Sequence, residues 1–408
     1  MKKMLEVTLG ILTAIGGFVD IGDLVANSET GARFRMSLAW VVIVGVIGIV
    51  VYAEMAGRVA TVSKRPVFDI IRERLGARMA LVNLVASFLI NFLTVTAEIA
   101  GVALIIQLVS GVNYLAWIPL VALLVWLTIW RVRFSAIEKF YGLLGLALIV
   151  TVIALIHSGQ THILWPEAKH LAPPKGEGLP TYFYFGIALL GAAMTPYEVF
   201  FFSSGAVEEG WTRADLMVNR ANVYIGFPLG GIISLALMGG AAIFLAPRGI
   251  SVSHLSQVGL PVSAVFGKIG LAILLFGMGI AIFGAALETA MSAGYILSQY
   301  FGWQWGKFVR PSEAPRFHLT VLVTILLGAC LALTTVDPVK VTEYSIVLSA
   351  AALPLTYFPI LVVANDPDYM GDKTNSPPLN AIAFAYLVLL LVVAVATIPL
   401  MIVTKAGQ

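Results

Sequence analysis

The sequence predicts an all-α integral membrane protein with about eleven transmembrane helices. Its 408 residues are 59% hydrophobic and only 12% charged, unlike the composition of a soluble globular domain. Apolar runs of about 18 residues or more, long enough to cross roughly 30 Å of hydrocarbon, recur along the whole chain. The alternating pattern typical of a transmembrane β-barrel is absent, so the spans are expected to be helices.

The apolar runs also predict the order of the spans and their grouping. The first five spans form one half (1–156), a polar extracellular loop follows (157–179), and five more spans form a second half (180–365). A cytoplasmic loop and an eleventh helix complete the chain (366–408). The loop is proline-rich and is expected to be irregular. The spans themselves are expected near residues 5–30, 35–62, 79–109, 114–130, 134–156, 180–207, 215–246, 262–300, 317–335, 340–364 and 379–403.

Lysines and arginines in the short loops fall mainly on one side of this layout. The bias predicts a cytoplasmic amino terminus and, with an odd number of spans, a carboxyl terminus outside. Lys2 and Lys3 precede a span that is too long and too acidic for a cleavable signal peptide. We therefore expect residence in a bacterial inner membrane. A single cysteine, Cys330, excludes both a disulfide and a cluster of thiolate ligands.

The first and sixth spans carry acids beside residues that interrupt helices. Asp20 and Asp23 flank Gly22, and Glu198 follows Pro196. A carboxylate within a membrane span costs roughly 3 kcal/mol on insertion scales, so these acids need a partner or a function. A break also frees backbone carbonyls, such as that of Val19, to face a ligand. Interrupted helices at matching places in two halves are typical of a transporter's binding site.

Convergence of the three carboxylates would be unfavourable without a cation. Like charges repel and each carboxylate also loses hydration, whereas a bound divalent ion removes both problems. No basic residue lies near either break in the sequence. The alternative is that one or more of the acids faces a water-filled vestibule or pairs with a distant lysine or arginine. Oxygen ligands favour Mg²⁺, Ca²⁺ or Mn²⁺, and Met194 is the only nearby sulfur.

Three short motifs resemble those of the Nramp divalent-metal transporters. The family's Asp-Pro-Gly-Asn stands here as Asp-Ile-Gly-Asp at residues 20–23. Its Ala-x-x-Met-Pro-His-Asn stands as Ala-Ala-Met-Thr-Pro-Tyr-Glu at residues 192–198. Its Ala-Glu-Val-Ile-Gly is similar to Ala-Glu-Ile-Ala-Gly at residues 97–101. The resemblance implies a LeuT-like fold of two inverted five-helix repeats with helices 1 and 6 broken.

The resemblance also implies a set of metal ligands. They are Asp20, Asp23, Glu198, Thr195 and Ala192, with further contacts expected from Met194, Tyr197 and Val19. Thr195 replaces the family methionine unless the register slips by one residue to Met194. This pattern resembles a divergent branch, the Nramp-related magnesium transporters, and implies Mg²⁺ and also Mn²⁺ as cargo. A partly hydrated Mg²⁺ suits a wide, acidic cavity.

Two positions bear on proton coupling. Proton-coupled relatives carry an aspartate and a histidine where this chain has Val95 and Phe202, and Glu98 alone remains. We therefore expect uptake without protons, driven by the ion gradient and the membrane potential. Glu98, Glu54 and Glu288 are candidate proton or pathway residues, although Glu54 is expected to pair with Arg58.

Other functions remain open on the sequence. The alternatives are a proton-coupled Mn²⁺/Fe²⁺ transporter of the same family and an amino-acid or amine transporter of the same fold superfamily. A membrane sensor without transport would not need acids at both breaks. The sequence contains no recognisable nucleophile–base pair and no cofactor-binding loop, so it does not predict an enzyme. The expected partners are a divalent cation and the lipid bilayer, with no cofactor, no nucleic acid and no obligate protein partner.

Overall fold

The computed structural model describes residues 11, 14–15, 17–132 and 143–407. Within these residues the chain is helical throughout, without a strand. The helices in chain order are α1 (Ile21–Phe34), α2 (Ala39–Ser63), α3 (Val67–Ser110), α4 (Tyr114–Arg131), α5 (Ile149–His157), α6 (Thr161–Ala168), α7 (Leu179–Ala193), α8 (Pro196–Glu208), α9 (Leu216–Ala221), α10 (Phe227–Phe244), α11 (Leu260–Phe301), α12 (Pro315–Leu333), α13 (Pro338–Ala364), α14 (Pro367–Met370) and α15 (Pro377–Val403).

The described helices confirm the predicted membrane fold. Nine of them, counting α7 with α8 as one broken span, are long and apolar enough to cross a bilayer. A tenth candidate is the bent pair Leu143–His157 and Thr161–Ala168, whose axes differ by 93°. Parts of the predicted first and fifth spans, including residues 1–10 and 133–142, lie outside the described residues.

One expectation about the polar loop was wrong. Residues 157–179 were expected to be irregular, but α6 forms within them. Leu164 in α6 is buried, and its side chain lies against Gly239 of α10. This contact removes apolar surface from water, which compensates for the backbone hydrogen bond that Pro166 cannot donate.

Two long helices, α3 and α11, each contain a break at a glycine. In α3 the break is Gly76, with φ 84° and ψ 161°, and in α11 it is Gly267, with φ 60° and ψ −149°. Residues that carry a side chain rarely adopt these positive φ values, so glycine permits the turn in both places. A short leading segment therefore precedes a long span in both α3 and α11.

The predicted breaks in the first and sixth spans are present. A helical segment ends at Phe18, and α1 begins after Asp20, which caps it. The second break lies at Met194 and Thr195, between α7 and α8, and Pro196 occupies the first turn of α8. A proline there costs nothing because that position has no intrahelical acceptor for its N–H. α1 packs against α7, α10 and α13, which places both breaks in the interior.

Candidate metal site between two broken helices

Asp20 is fixed by donors from both broken helices. Its Oδ1 accepts a hydrogen bond from the backbone N–H of Asp23 at 2.8 Å. Its Oδ2 lies 3.2 Å from the hydroxyl of Tyr197, which is also 3.1 Å from the carbonyl oxygen of Gly17. The carboxylate is buried, with 2% of the residue exposed. Asp20 therefore links the first break to the first turn of α8.

A small cavity opens beside Asp20. Its volume of about 10 Å³ holds roughly one water molecule or one dehydrated ion. Both breaks contribute to its wall, together with α3 and α13. Its polar lining residues are Asp20, Thr94, Thr195, Thr342, Ser345 and Ser349. The wide, acidic cavity that the sequence analysis expected is therefore not observed, because the space is narrow and Asp20 is the carboxylate that lines it.

The polar side chains of this lining, taken over the described residues, present only oxygen atoms. Thr94 Oγ1 and Ser345 Oγ are 2.7 Å apart, and Thr342 donates to the Pro338 carbonyl at 2.8 Å. Ser349 Oγ is buried and has no hydrogen-bond partner among the described atoms. Because a buried hydroxyl without a partner is costly, Ser349 is available to a ligand in the cavity.

The sequence analysis missed three of the hydroxyls in this lining, those of Thr94, Thr342 and Ser345. The sequence did contain a pattern that indicates the hydroxyls of α13. Residues 342, 345 and 349 follow the spacing that places side chains on one face of a helix. These three hydroxyl residues share one face of the predicted tenth span.

Asp23 does not line the cavity. Its Oδ2 accepts a hydrogen bond from Ser234 of α10 at 2.6 Å, and its Oδ1 accepts one from Asn27 at 2.8 Å. The expectation that Asp23 and Asp20 face one cavity is therefore not met. The turn of α1 directs Asp23 toward α10, where both of its oxygens already have donors.

Met194 also points away from the cavity. Its sulfur lies 2.6 Å from the position that a Cβ on Gly48 would occupy, in a space that Tyr386 also borders. The hydroxyl of Tyr357 donates to the Met194 carbonyl at 3.1 Å. Thr195, and not Met194, lines the cavity.

Two further expected contacts lie outside the cavity lining. Ala192 is buried in the last turn of α7, and Val19 is buried at the first break. Neither residue contributes to the wall of the cavity, so the expected contact from the Val19 carbonyl is not observed there.

Glu198 and Glu288 meet at Gly17, away from the cavity lining. A Cβ on Gly17 would lie 2.6 Å from Glu288 Oε2 and 3.3 Å from Glu198 Oε1. The predicted convergence of Asp20, Asp23 and Glu198 is not observed. Across the described residues, no three acids, histidines or cysteines are arranged to hold a metal ion.

The remaining acids have separate environments. Glu98 Oε1 accepts from Thr289 at 3.3 Å, while its Oε2 is buried without a hydrogen-bond partner in the described part of the chain. Glu54 pairs with Arg58 at 3.1 Å, as expected, and lies 3.6 Å from Arg220. Glu54 is therefore part of a structural ion network.

The two positions considered for proton coupling, Val95 and Phe202, lie in apolar surroundings. Val95 is fully buried and lies close to Gly328 of α12. Phe202 packs edge-on against Trp211 with ring centroids 5.8 Å apart. Neither side chain can carry a proton, so Glu98 has no titratable neighbour at these two positions.

Comparison with known families gives a match over almost the whole chain. The model of the Nramp family, described as natural resistance-associated macrophage protein-like, matches residues 10–399. The divalent metal cation transporter MntH of Klebsiella pneumoniae is 25% identical over 389 residues, covering 90% of this chain and 88% of the relative. MntH of Deinococcus radiodurans is 22% identical over 387 residues, covering 92% of this chain and 85% of the relative.

Solved structures share the fold. The manganese transporter of Eremococcus coleocola superposes with a TM-score of 0.78 at 19% identity, over 100% of this chain and 88% of that chain. MhsT in complex with L-phenylalanine superposes with a TM-score of 0.63 at 14% identity, over 98% of both chains. The LeuT-like fold that the family resemblance implied is thereby confirmed.

Proposed function

The chain belongs to the Nramp family, and from that premise we propose that it imports a divalent metal cation, Mg²⁺ first and Mn²⁺ in addition. The cation binds in the cavity where the two broken helices meet. The observation that carries this proposal is the oxygen-only polar lining, with the Asp20 carboxylate on one side and the unpartnered Ser349 hydroxyl on the other. Relatives described as divalent metal cation transporters support the class of cargo.

The choice of Mg²⁺ follows from the ligand atoms. Carboxylate and hydroxyl oxygens are hard ligands that suit Mg²⁺ and Mn²⁺, whereas a thioether favours softer transition metals. Thr195 supplies a hydroxyl in the cavity, and the sulfur of Met194 lies against Gly48. A site without sulfur lacks the soft ligand that would select a transition metal against Mg²⁺.

The narrow cavity constrains how the ion is held. Room for about one water molecule means that the ion exchanges most of its hydration shell for protein oxygens in this conformation. Asp20 is already oriented by Tyr197 and Asp23, so little further ordering is needed when the ion arrives. A conformation with more space admits the hydrated ion.

Transport proceeds without protons and follows the electrochemical gradient of the ion. Val95 and Phe202 replace the groups that would relay protons, and both lie in apolar contacts. A divalent ion moving inward through 100 mV gains about 2 × 2.3 kcal/mol, which is enough to drive uptake.

One observation favours a second candidate, a proton-coupled Mn²⁺/Fe²⁺ transporter. Glu98 Oε2 is buried without a hydrogen-bond partner among the described residues, and such a carboxyl group is a candidate proton carrier. An amino-acid or amine carrier is less well supported, because those substrates need a much larger space than the cavity beside Asp20 provides.

The arrangement in the membrane is part of the same proposal. The two five-span repeats cover residues 1–156 and 180–365, and the matching glycine breaks in α3 and α11 support them. The amino terminus is cytoplasmic and the carboxyl terminus outside, in a bacterial inner membrane.

Uptake into proteoliposomes tests the proposal. Vesicles loaded with a magnesium-sensitive dye are compared with parallel vesicles that report internal Mn²⁺ and internal pH, under an inside-negative potential. We expect Mg²⁺ and Mn²⁺ entry without acidification, loss of both fluxes in Asp20→Asn, and normal flux in the control Asp368→Asn, whose residue is exposed. Mn²⁺ entry that excludes Mg²⁺ and brings protons would support the second candidate instead.

A further inference from the structure

Two prolines inside α13 interrupt its backbone hydrogen bonding. They are Pro354 and Pro359. Because proline has no N–H, Pro359 cannot donate to the carbonyl of Leu355, and Pro354 cannot donate to that of Ala350. A carbonyl without a donor inside a membrane protein is costly, and neighbouring helices commonly supply the donor that is lost. Two carbonyls of α13 are therefore free to accept from another helix.

Asn83 of α3 donates to one of these carbonyls. Its Nδ2 lies 2.6 Å from the carbonyl oxygen of Leu355. Its Oδ1 accepts from the hydroxyl of Ser87 at 2.9 Å, one turn further along α3, and this bond orients the amide so that Nδ2 faces α13. Asn83 and Ser87 are both buried, with 1% of each residue exposed. The Asn83 amide thus takes the place of the N–H that Pro359 lacks.

The contact at Leu355 is one of two that hold α13 to α3. At the cavity, Thr94 Oγ1 lies 2.7 Å from Ser345 Oγ. The Leu355 carbonyl, which Asn83 holds, is about 15 Å further along the helix. Ser349, which lines the cavity, lies between these two contacts. The direction of this stretch, and with it the position of the Ser349 hydroxyl, therefore depends on both contacts.

The same part of α13 also contacts the second helix break. Tyr357 follows Leu355 by two residues, and its hydroxyl donates to the Met194 carbonyl at 3.1 Å. Met194 lies at the break, and the next residue, Thr195, lines the cavity. A shift of α13 near Leu355 would therefore displace the donor of the Met194 carbonyl and disturb Thr195.

We propose that Asn83 is a positioning residue for the metal site, since its amide replaces the hydrogen-bond donor that Pro359 lacks and thereby fixes the direction of α13. This inference rests on the proposed function, because it takes the cavity beside Asp20 as the place where the cation binds. Asn83 does not line that cavity. It acts on the cation through α13 and the second break, and it is not a ligand.

A rescue experiment tests the proposal. Asn83→Leu keeps a branched side chain of similar shape but removes the donor, and Pro359→Ala restores a backbone N–H that can reach the Leu355 carbonyl. Uptake of Mn²⁺ into proteoliposomes is the activity measured, because both candidate functions include Mn²⁺. We expect Asn83→Leu to raise the KM by about three- to tenfold, as for loss of one neutral ligand. Adding Pro359→Ala should return the KM to that of the unmodified protein.

Pro354→Ala is the matched control for this rescue. It restores an N–H to the Ala350 carbonyl, whereas Asn83 donates to Leu355. Asn83→Leu combined with Pro354→Ala should therefore keep the raised KM. If Asn83 had only a structural role, Asn83→Leu would lower the thermal midpoint and the amount of active protein, and hence Vmax, but would leave the KM unchanged.

Amide hydrogen exchange separates this inference from the proposed function, because it needs neither a cation nor transport. In the purified full-length protein, Asn83→Leu should speed exchange in α13 beyond Pro354, and adding Pro359→Ala should slow it again. If the unmodified protein carried no divalent cation, the proposed function would fail, while the exchange result would still decide whether Asn83 fixes α13. Unchanged exchange in Asn83→Leu, an unchanged KM, or equal rescue by Pro359→Ala and Pro354→Ala would overturn the proposal.

Discussion

Tyr197 Oη lies 3.2 Å from Asp20 Oδ2, so the first turn of α8 holds the carboxylate at the first break. The backbone N–H of Asp23 holds the other oxygen of Asp20 at 2.8 Å. Both oxygens are therefore oriented before an ion binds, which reduces the ordering that binding requires. The two broken helices cannot separate without breaking the contact between Tyr197 and Asp20, so movement of the helices and exposure of the site are coupled.

Thr195→Met should shift preference from Mg²⁺ to Mn²⁺. Thr195 lines the cavity, so methionine there replaces a hydroxyl oxygen with a softer sulfur ligand. We expect Mg²⁺ uptake to fall by roughly tenfold, about 1.4 kcal/mol, while Mn²⁺ uptake is retained. Competition between the two ions in proteoliposomes measures the ratio.

Met194→Leu is the matched control for that substitution. The Met194 side chain packs near Gly48 and Tyr386, away from the cavity, so leucine should leave the Mg²⁺/Mn²⁺ ratio unchanged. A large change in this ratio for Met194→Leu would show that the sulfur reaches the ion during transport.

Ser349→Ala should weaken ion binding without abolishing transport. Its hydroxyl is the buried, unpartnered oxygen of the cavity, and removing it deletes one neutral ligand while Asp20 remains. We expect the KM for Mg²⁺ to rise by about three- to tenfold, equivalent to 0.7–1.4 kcal/mol. Thr320→Ala, on the exposed face of α12, serves as the control. An unchanged KM would remove Ser349 from the site.

Asp23→Ala should act mainly on stability. The substitution removes the carboxylate that accepts from Ser234 and Asn27, which then keep only the backbone carbonyls of Gly230 and of residue 23 as acceptors. Loss of hydrogen bonds to a charged group costs about 1.5–3 kcal/mol. Thermal unfolding in detergent should show a lower midpoint, and Ser234→Ala should lower it in the same direction. A double-mutant cycle should give a coupling of ~1 kcal/mol between Asp23 and Ser234. Additive effects would show that the contact contributes little.

Arg58→Ala should strongly destabilise the protein. Arg58 and Glu54 pair at 3.1 Å with 5% and 4% of their side chains exposed, so the substitution leaves a buried, weakly compensated charge. We expect a loss of about 3–5 kcal/mol, partly recovered when Glu54→Gln is added. Arg65→Ala breaks exposed pairs with Asp69 and Glu73 and should cost less than about 1 kcal/mol. Comparable losses in Arg58→Ala and Arg65→Ala would contradict this account.

The membrane fold and both helix breaks could be predicted from the sequence because they depend on local signals. Long apolar runs define spans, and Gly22 and Pro196 beside buried acids mark the interruptions. The motif also predicted a contact from Thr195, and Thr195 lines the cavity.

The directions of the side chains around the breaks could not be predicted, because neighbouring helices determine them. Asp23 turns toward α10 since Ser234 offers a donor there. Met194 turns toward α2 since Gly48 leaves room for its sulfur. Glu198 lies beside Gly17 and faces Glu288, a residue distant in sequence. Spacing within one segment contains no information about these contacts.

The location of the bound ion tests the central claim most directly. Crystals of the protein grown with Mn²⁺ should show one anomalous scattering peak between Asp20, Thr195 and Ser349, and excess Mg²⁺ should remove it. That result would establish a hard-cation site at the two breaks. A peak at the sulfur of Met194, or a peak beside Asp20 that excess Mg²⁺ leaves unchanged, would contradict the account.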